Sequence, residues 1–330
     1  MNNKIIKKTI NFYLTTQNKI KNIKNFDWAH SEVEAWKKNN NLFTNELHIS
    51  NFRRSFISGG TLNPPDRPFK ISAKYHGINE DKLQWFEGYN FLEKIRGILY
   101  IISRYRLLNA RLIKIYLTEG IDLKSIKDNL VGNPISFSFF KFSNLTEASL
   151  RFTYYVKLFN KILNFKNLGS VLEIGAGYGG LANKFFSLNP YLKQYVIVDL
   201  PENLTLAYYY LINNGHKVTI YIDKIDKPLK DIKGIILVAP WVLKDIQNSN
   251  FDLALNIMSF QHMSKKNIIY YFNILNAINI KYFYYLNRNK IRDASDVIAN
   301  SYPKLNKLEI FIDNIFDKVF VERFFKNKLN

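Results

Sequence analysis

No cysteine occurs anywhere in the chain. That absence removes disulfides, thiolate metal sites, Fe–S ligation and thiol nucleophiles together. It also removes the covalent thiolate attack that C5 methylation of a pyrimidine ring requires, and it accords with a reducing, cytoplasmic setting. A long apolar run is missing too. The cleanest stretch, GIILVAPWVL (Gly234–Leu243), falls well short of the roughly 20 residues that span a bilayer. The start, MNNKIIKKTINFYLTTQNKIKN, has no continuous apolar core and no small-residue cleavage site, so no secretory signal is expected. Acids are in deficit: 27 Asp and Glu face 47 Lys and Arg, a formal charge of +20. Such a surface attracts anions, but the lysines are scattered among abundant Asn and Ile, as codon bias in an A+T-rich genome produces. Solubility and an anionic partner both remain open readings of the charge.

What is present suits a folded protein. Of the 330 residues, 47% are hydrophobic and 15% aromatic, ample for a buried core. The length accommodates two regions, divided near residue 165. Residues 1–165 show little β patterning and read as mainly helical, with apolar residues at three- and four-residue steps over Asp81–Gly120 and Leu145–Leu163. Asn144 is the expected cap of the latter helix. Gly59–Pro68 and Val131–Pro134 are breaker-rich loops. From residue 166 to 330 the pattern alternates. Strands are predicted at Ser170–Ile174, Tyr195–Asp199, Gly234–Val238, Asp252–Asn256 and Lys281–Leu286, and helices at Gly180–Ser187, Glu202–Asn213 and Lys265–Asn276. This alternation predicts a mostly parallel, doubly wound α/β sheet. Lys217–Ile225 also reads as extended, and Lys307–Phe325 as a closing hairpin.

Glycine is scarce, with only 14 in the chain, yet Gly175, Gly177, Gly179 and Gly180 crowd the segment VLEIGAGYGG. In an open α/β sheet the ligand lies beyond the carboxyl ends of the strands, at the first strand-to-helix turn. Three of these glycines also satisfy the dinucleotide spacing G-x-G-x-x-G. Glu173 argues otherwise, because an anion beside the turn opposes a pyrophosphate and suits a ligand carrying an ammonium group. Asp199, after the next strand, stands where an acid accepts from both ribose hydroxyls.

The ordered segments VLEIGAGYGGLA, YVIVDLPENLTLAYYYL, ILVAPW, FDLALNIMSFQHM and YFYYLNR resemble successive motifs of class I S-adenosylmethionine-dependent methyltransferases. More narrowly they are similar to sugar O-methyltransferases of bacterial surface-polysaccharide synthesis, over roughly residues 146–288. The resemblance implies a Rossmann-like seven-stranded sheet, S-adenosylmethionine as methyl donor and a sugar or glycan hydroxyl as acceptor, whether nucleotide-, lipid- or polymer-linked. It implies a donor site along Glu173, Gly175, Ala176, Gly177, Tyr178, Gly179, Asp199 and Leu200, with Pro240 and Trp241 at the adenine edge and Asn256 at the next strand end. Where that family has SFQEM, this chain has SFQHM, with His262 in place of the acid.

Methyl transfer from a sulfonium is an in-line displacement, and a sugar hydroxyl benefits from a general base. His262 is the candidate, since an imidazole titrates near neutrality. The alternative role for it is a rim histidine that bonds backbone or caps the helix starting near Ser264. A divalent metal acidifying the hydroxyl is not favoured, because Asp223, Asp226 and Asp231 are interleaved with lysines. Residues 1–165 are expected to form part of the acceptor pocket or a contact in a homo-oligomer. Ribose 2′-O-methylation of RNA is the chief rival, followed by a non-catalytic nucleoside-binding module and an NAD-dependent oxidoreductase. Base methylation is disfavoured, as the fourth strand ends in NIMSFQHM rather than an Asn/Asp-Pro-Pro-aromatic clamp.

Overall fold

The computed structural model describes residues 2–20, 43–53, 126–134, 137–139, 142–246, 249–288, 305, 308–316 and 320–328. The helix expected over Asp81–Gly120 and the loop at Gly59–Pro68 lie outside them. Strands β3 (Ser170–Ile174), β4 (Gln194–Val198), β5 (Val218–Tyr221), β6 (Gly234–Val238), β7 (Asn250–Ile257), β8 (Asn279–Arg288), β9 (Leu308–Phe316) and β10 (Phe320–Asn327) form one eight-stranded sheet in the order β5-β6-β4-β3-β7-β8-β10-β9. Only β10 runs against its neighbours, paired antiparallel to both β8 and β9. The central strands are near-continuous apolar runs, as burial on both faces demands. All five residues of QYVIV are buried, as are four of the five in SVLEI and in GIILV.

The sheet therefore has the doubly wound, Rossmann-like form expected. It departs from the implied seven strands by one: β5 adds a parallel edge strand beside β6, from the segment read only as extended. From β3 the chain steps to β4, out to the edge at β5 and back to β6 between them, then crosses to β7 on the opposite side of β3. That reversal opens a crevice beyond the carboxyl ends of β3 and β7, where ligands of such sheets bind.

Helices α4 (Gly180–Leu188), α5 (Pro201–Asn213) and α6 (Lys265–Ala277) connect the strands. From the amino-terminal region come α1 (Asn2–Ile20), the short α2 (Glu46–Ser50), a small antiparallel pair β1 (Phe137–Phe139) and β2 (Phe142–Leu145), and α3 (Glu147–Leu163). The β pair is an addition to the mainly helical reading of that region. A correction concerns α3, which is capped by Thr146, not Asn144. Thr146 Oγ1 accepts from Ser149 N at 3.0 Å, and Ser149 Oγ accepts from Thr146 N at 3.1 Å. The shorter Ser149 thus fills the reciprocal position where a Glu is usual. Ile6 and Tyr13 of α1, with Phe43, Ile49 and Phe52, belong to the same apolar core as the sheet. Gln17 Nε2 donates to Glu202 Oε1 at 3.0 Å across the α1–α5 contact, and Lys19 pairs with Asp223, just after β5. No helix among the described residues is long and apolar enough to cross a membrane.

Candidate active site

The turn between β3 and α4 carries the glycine segment. Gly175, Gly177 and Gly179 all have positive φ, a conformation glycine alone adopts freely. At Gly175 the reason is also steric: a Cβ there would lie 1.8 Å from Ser259 Oγ and 2.3 Å from Ser259 Cβ. The bare backbone thus lets the turn after β7 close against the turn after β3. Gly179 begins α4 without a side-chain cap.

Glu173 is 4% exposed and lies beneath that turn rather than on its open surface. Its Oε2 accepts from Tyr195 Oη at 2.7 Å, and the Tyr195 ring packs on Phe185 of α4. Burial pushes the Glu173 carboxyl up to about 8, against the lowering pull of Tyr195 and with a further push from the charge of Asp199. Asp199 follows β4 directly and is also buried. Its Oδ2 accepts from Gly177 N at 2.7 Å, so the acid pins the glycine turn itself. Its Oδ1 accepts from Leu200 N at 2.7 Å and from Asn203 Nδ2 at 2.9 Å. Burial raises Asp199 to about 6 despite those three donors, all of which favour the ionised form. Neither acid forms an ion pair among the described residues.

The remaining predicted residues divide. Ala176 and Leu200 lie in the turns after β3 and β4, beside Gly177 and Asp199. Pro240 and Trp241 open the short helical turn after β6. Trp241 Nε1 donates to Ile222 O at 2.6 Å, and Pro240 O accepts from Tyr270 Oη at 3.0 Å. Tyr178 points into protein: its ring meets Tyr210 edge-on at 4.9 Å and also contacts Phe52 and Phe152. Asn256 is fully buried, and its amide is engaged by protein. Asn256 Nδ2 donates to Ile174 O at 2.9 Å, while its Oδ1 accepts from Phe260 N at 3.2 Å and Asn287 Nδ2 at 2.8 Å. Asn287 Oδ1 in turn accepts from Gln261 N at 3.2 Å. The two amides therefore lace the ends of β3, β7 and β8 to the turn Phe260–His262.

His262 closes that turn, partly exposed, beyond the end of β7. Its backbone N donates to Ser259 O at 3.0 Å, and its Nε2 lies 3.0 Å from Gln261 Nε2. The cap of α6 is Ser264, whose Oγ accepts from Asn267 N, so His262 does not serve as that cap. Met258, just before, holds φ +55, a strained value for a side-chain-bearing residue and one that concentrates at functional sites.

Sequence reasoning passed over a buried ion pair. Arg53 Nη1 and Nη2 meet Asp128 Oδ1 and Oδ2 at 3.0 and 2.5 Å, with both side chains 4% exposed. The guanidinium also lies 4.9 Å from the Tyr178 ring centroid and 5.4 Å from that of Tyr210. Burial alone would raise Asp128, but Arg53, Thr146 and Asn129 together hold it below its ordinary value. Residues 75 apart give no local pattern, and Asp128, set between Lys127 and Asn129, reads as a solvated acid.

A nucleoside ligand fits these residues on three counts: a bare turn at the strand ends, a buried acid on it, and a buried acceptor, Asn203 Oδ1, with no partner among the described residues. Among the described residues no three His, Asp or Glu come together to hold a metal. No family model and no curated protein matches the sequence. Solved structures do. A candidate RNA methyltransferase from Pyrococcus horikoshii is 16% identical, with 56% of this chain and 85% of that one covered, at a TM-score of 0.37. A candidate sarcosine dimethylglycine methyltransferase from Galdieria sulphuraria is 12% identical over 56% of this chain and 88% of that one, at 0.40. The pyocyanin biosynthetic protein PhzM is 12% identical over 55% and 56%, at 0.38. The doubly wound topology stands on the strand pairings alone, and likenesses at this level say nothing of the reaction.

Proposed function

We propose that this chain is an S-adenosylmethionine-dependent O-methyltransferase acting on a hydroxyl of a sugar in a bacterial surface glycan or its precursor. The observation that carries the donor assignment is the pair of buried carboxyls behind one glycine turn, Glu173 and Asp199, with no cation against either among the described residues. Two such acids would oppose a pyrophosphate, whereas a ligand with a cationic end supplies the missing positive charge. S-adenosylmethionine, when bound, supplies an electrophilic methyl group on a sulfonium.

The chain's own residues do the rest. Asp199 holds the turn through Gly177 N and accepts from the ligand's ribose. Glu173 contributes negative charge from beneath the turn toward the ammonium. Pro240 and Trp241 border an apolar slot for the adenine. His262, on the rim, takes the proton that the acceptor hydroxyl loses, and the Asn256–Asn287 lacing fixes the turn that carries it. Residues 1–165 help to enclose the acceptor.

Calorimetry with S-adenosylhomocysteine tests the donor site, and release of that product from S-adenosylmethionine across a panel of nucleotide- and lipid-linked sugars tests the reaction. Binding with glycan-dependent release is expected. Release stimulated by RNA and not by any sugar would replace the acceptor, and no binding would end the reading.

A further inference from the structure

Asn203 stands in the first turn of α5, four residues after Asp199, and its Nδ2 donates to Asp199 Oδ1 at 2.9 Å. That contact fixes the amide's orientation, because turned over it would set oxygen against a carboxylate oxygen. The opposite end, Asn203 Oδ1, is buried and has no hydrogen-bond partner among the described residues. A buried acceptor without a donor is an exception among folded proteins, and it asks for a donor that the described residues do not supply.

Asp199 supplies the second half of the reasoning. An ionised carboxylate offers about four lone-pair sites. Three donors already occupy it: Leu200 N and Asn203 Nδ2 on Oδ1, and Gly177 N on Oδ2. One acceptor position remains, on Oδ2. A vicinal diol presents two hydroxyl hydrogens, so Asp199 in this setting serves only one of them.

We propose that Asn203 is the second acceptor: a ribosyl diol divides its two hydroxyl hydrogens between Asp199 Oδ2 and Asn203 Oδ1. Asn203 is then a specificity-determining residue, selecting nucleosides that carry both hydroxyls over those lacking either. The proposal rests on the donor-site reading above and deepens it. Asn203 has a double function, since the same amide that orients the acid from one end receives the ligand at the other.

The test is calorimetry with S-adenosylhomocysteine and its 2′-deoxy and 3′-deoxy forms, on the wild-type chain and on Asn203→Ala. In the wild type each deoxy form should bind about tenfold or more weakly, since each leaves a buried acceptor unpaired. In Asn203→Ala one of the two deoxy penalties should vanish while the other persists. That selective loss is what a merely structural role, through Asp199 orientation, would not produce. Both penalties intact in the variant would overturn the proposal and leave the donor site standing. If the variant does not fold, the wild-type series still decides, because a deoxy form that binds as tightly as the parent overturns the proposal. No binding of the parent compound by the wild type would overturn the donor-site reading and this proposal with it.

Discussion

Gly175 and Ser259 occupy space that only one side chain can fill, with 1.8 Å between the serine Oγ and the place a glycine Cβ would take. The residues stand 84 positions apart, and their contact joins the glycine turn to the turn that carries His262. Gly175→Ala meets two obstacles, the clash and a φ of +78. It should destabilise by about 1–3 kcal/mol or more and weaken S-adenosylhomocysteine binding. Adding Ser259→Gly should recover only part of the loss, since it relieves the clash and not the backbone strain. Denaturant unfolding of both variants checks this, and full recovery in the double variant would show that φ is no constraint.

The buried Glu173 gives stability a characteristic pH dependence. Its folded value of about 8 lies above its ordinary 4.5, so its contribution is fully present below about pH 4.5 and is lost as pH rises toward 8. Asp199, raised to about 6, acts with the same sign over a lower window. The ligand-free chain should therefore be less stable at pH 8 than at pH 5, by up to a few kcal/mol. Glu173→Gln should remove most of that slope, and S-adenosylhomocysteine should reduce it in the wild type by favouring the ionised acid. Parallel melting profiles for wild type and variant between pH 5 and 8 would show that this carboxyl does not titrate there.

Much of the sheet was legible because parallel strands buried on both faces leave uninterrupted apolar runs. SVLEI and GIILV form strands over the predicted residues, and β4, β7 and β8 differ only at their ends. The cap of α3 was misplaced because Asn144 and Thr146 both suit such a position, and only the partner three residues on, Ser149, distinguishes them. The edge strand β5 was ambiguous because three of its four residues are only partly covered, so its pattern lacks the saturation of the central strands. At the site, the acids were visible as residue types, but their burial was not. Tyr195 over Glu173 and Asn287 against Asn256 are contacts made by chain reversal, which no local spacing encodes.

The Arg53–Asp128 pair ties the segment before α3 to the glycine turn through Tyr178. Removing one partner strands the other charge in a buried site, so Asp128→Ala should cost about 3–5 kcal/mol. Replacing both, as Arg53→Met with Asp128→Leu, should be milder than the single change, because no charge is then left uncompensated. Equilibrium unfolding of Arg53→Met, Asp128→Leu and the double variant measures the coupling, and additive losses would show that the two side chains do not act as a pair.

The lacing of Asn256 and Asn287 leads to the last expectation, which separates holding the base from being it. His262→Ala should lower turnover by about two to four orders of magnitude with S-adenosylhomocysteine affinity retained, if the imidazole takes the acceptor's proton. Asn287 touches neither donor nor acceptor in this reading. It holds Gln261 N and Asn256 Oδ1, and so sets where the turn ending in His262 sits. Asn287→Ala should therefore reduce kcat by a smaller factor, leave the donor affinity unchanged, and preserve the pH dependence that His262 imposes. His262→Ala should abolish that pH dependence altogether. Because Gln261 Nε2 now faces His262 Nε2, the acceptor hydroxyl must displace that amide to reach the base. Gln261→Ala should accordingly ease acceptor binding, seen as a lower KM, while its backbone N–H still anchors the turn on Asn287. Steady-state kinetics over pH for these three variants distinguishes the roles, and near-normal turnover in His262→Ala would remove the histidine from the chemistry.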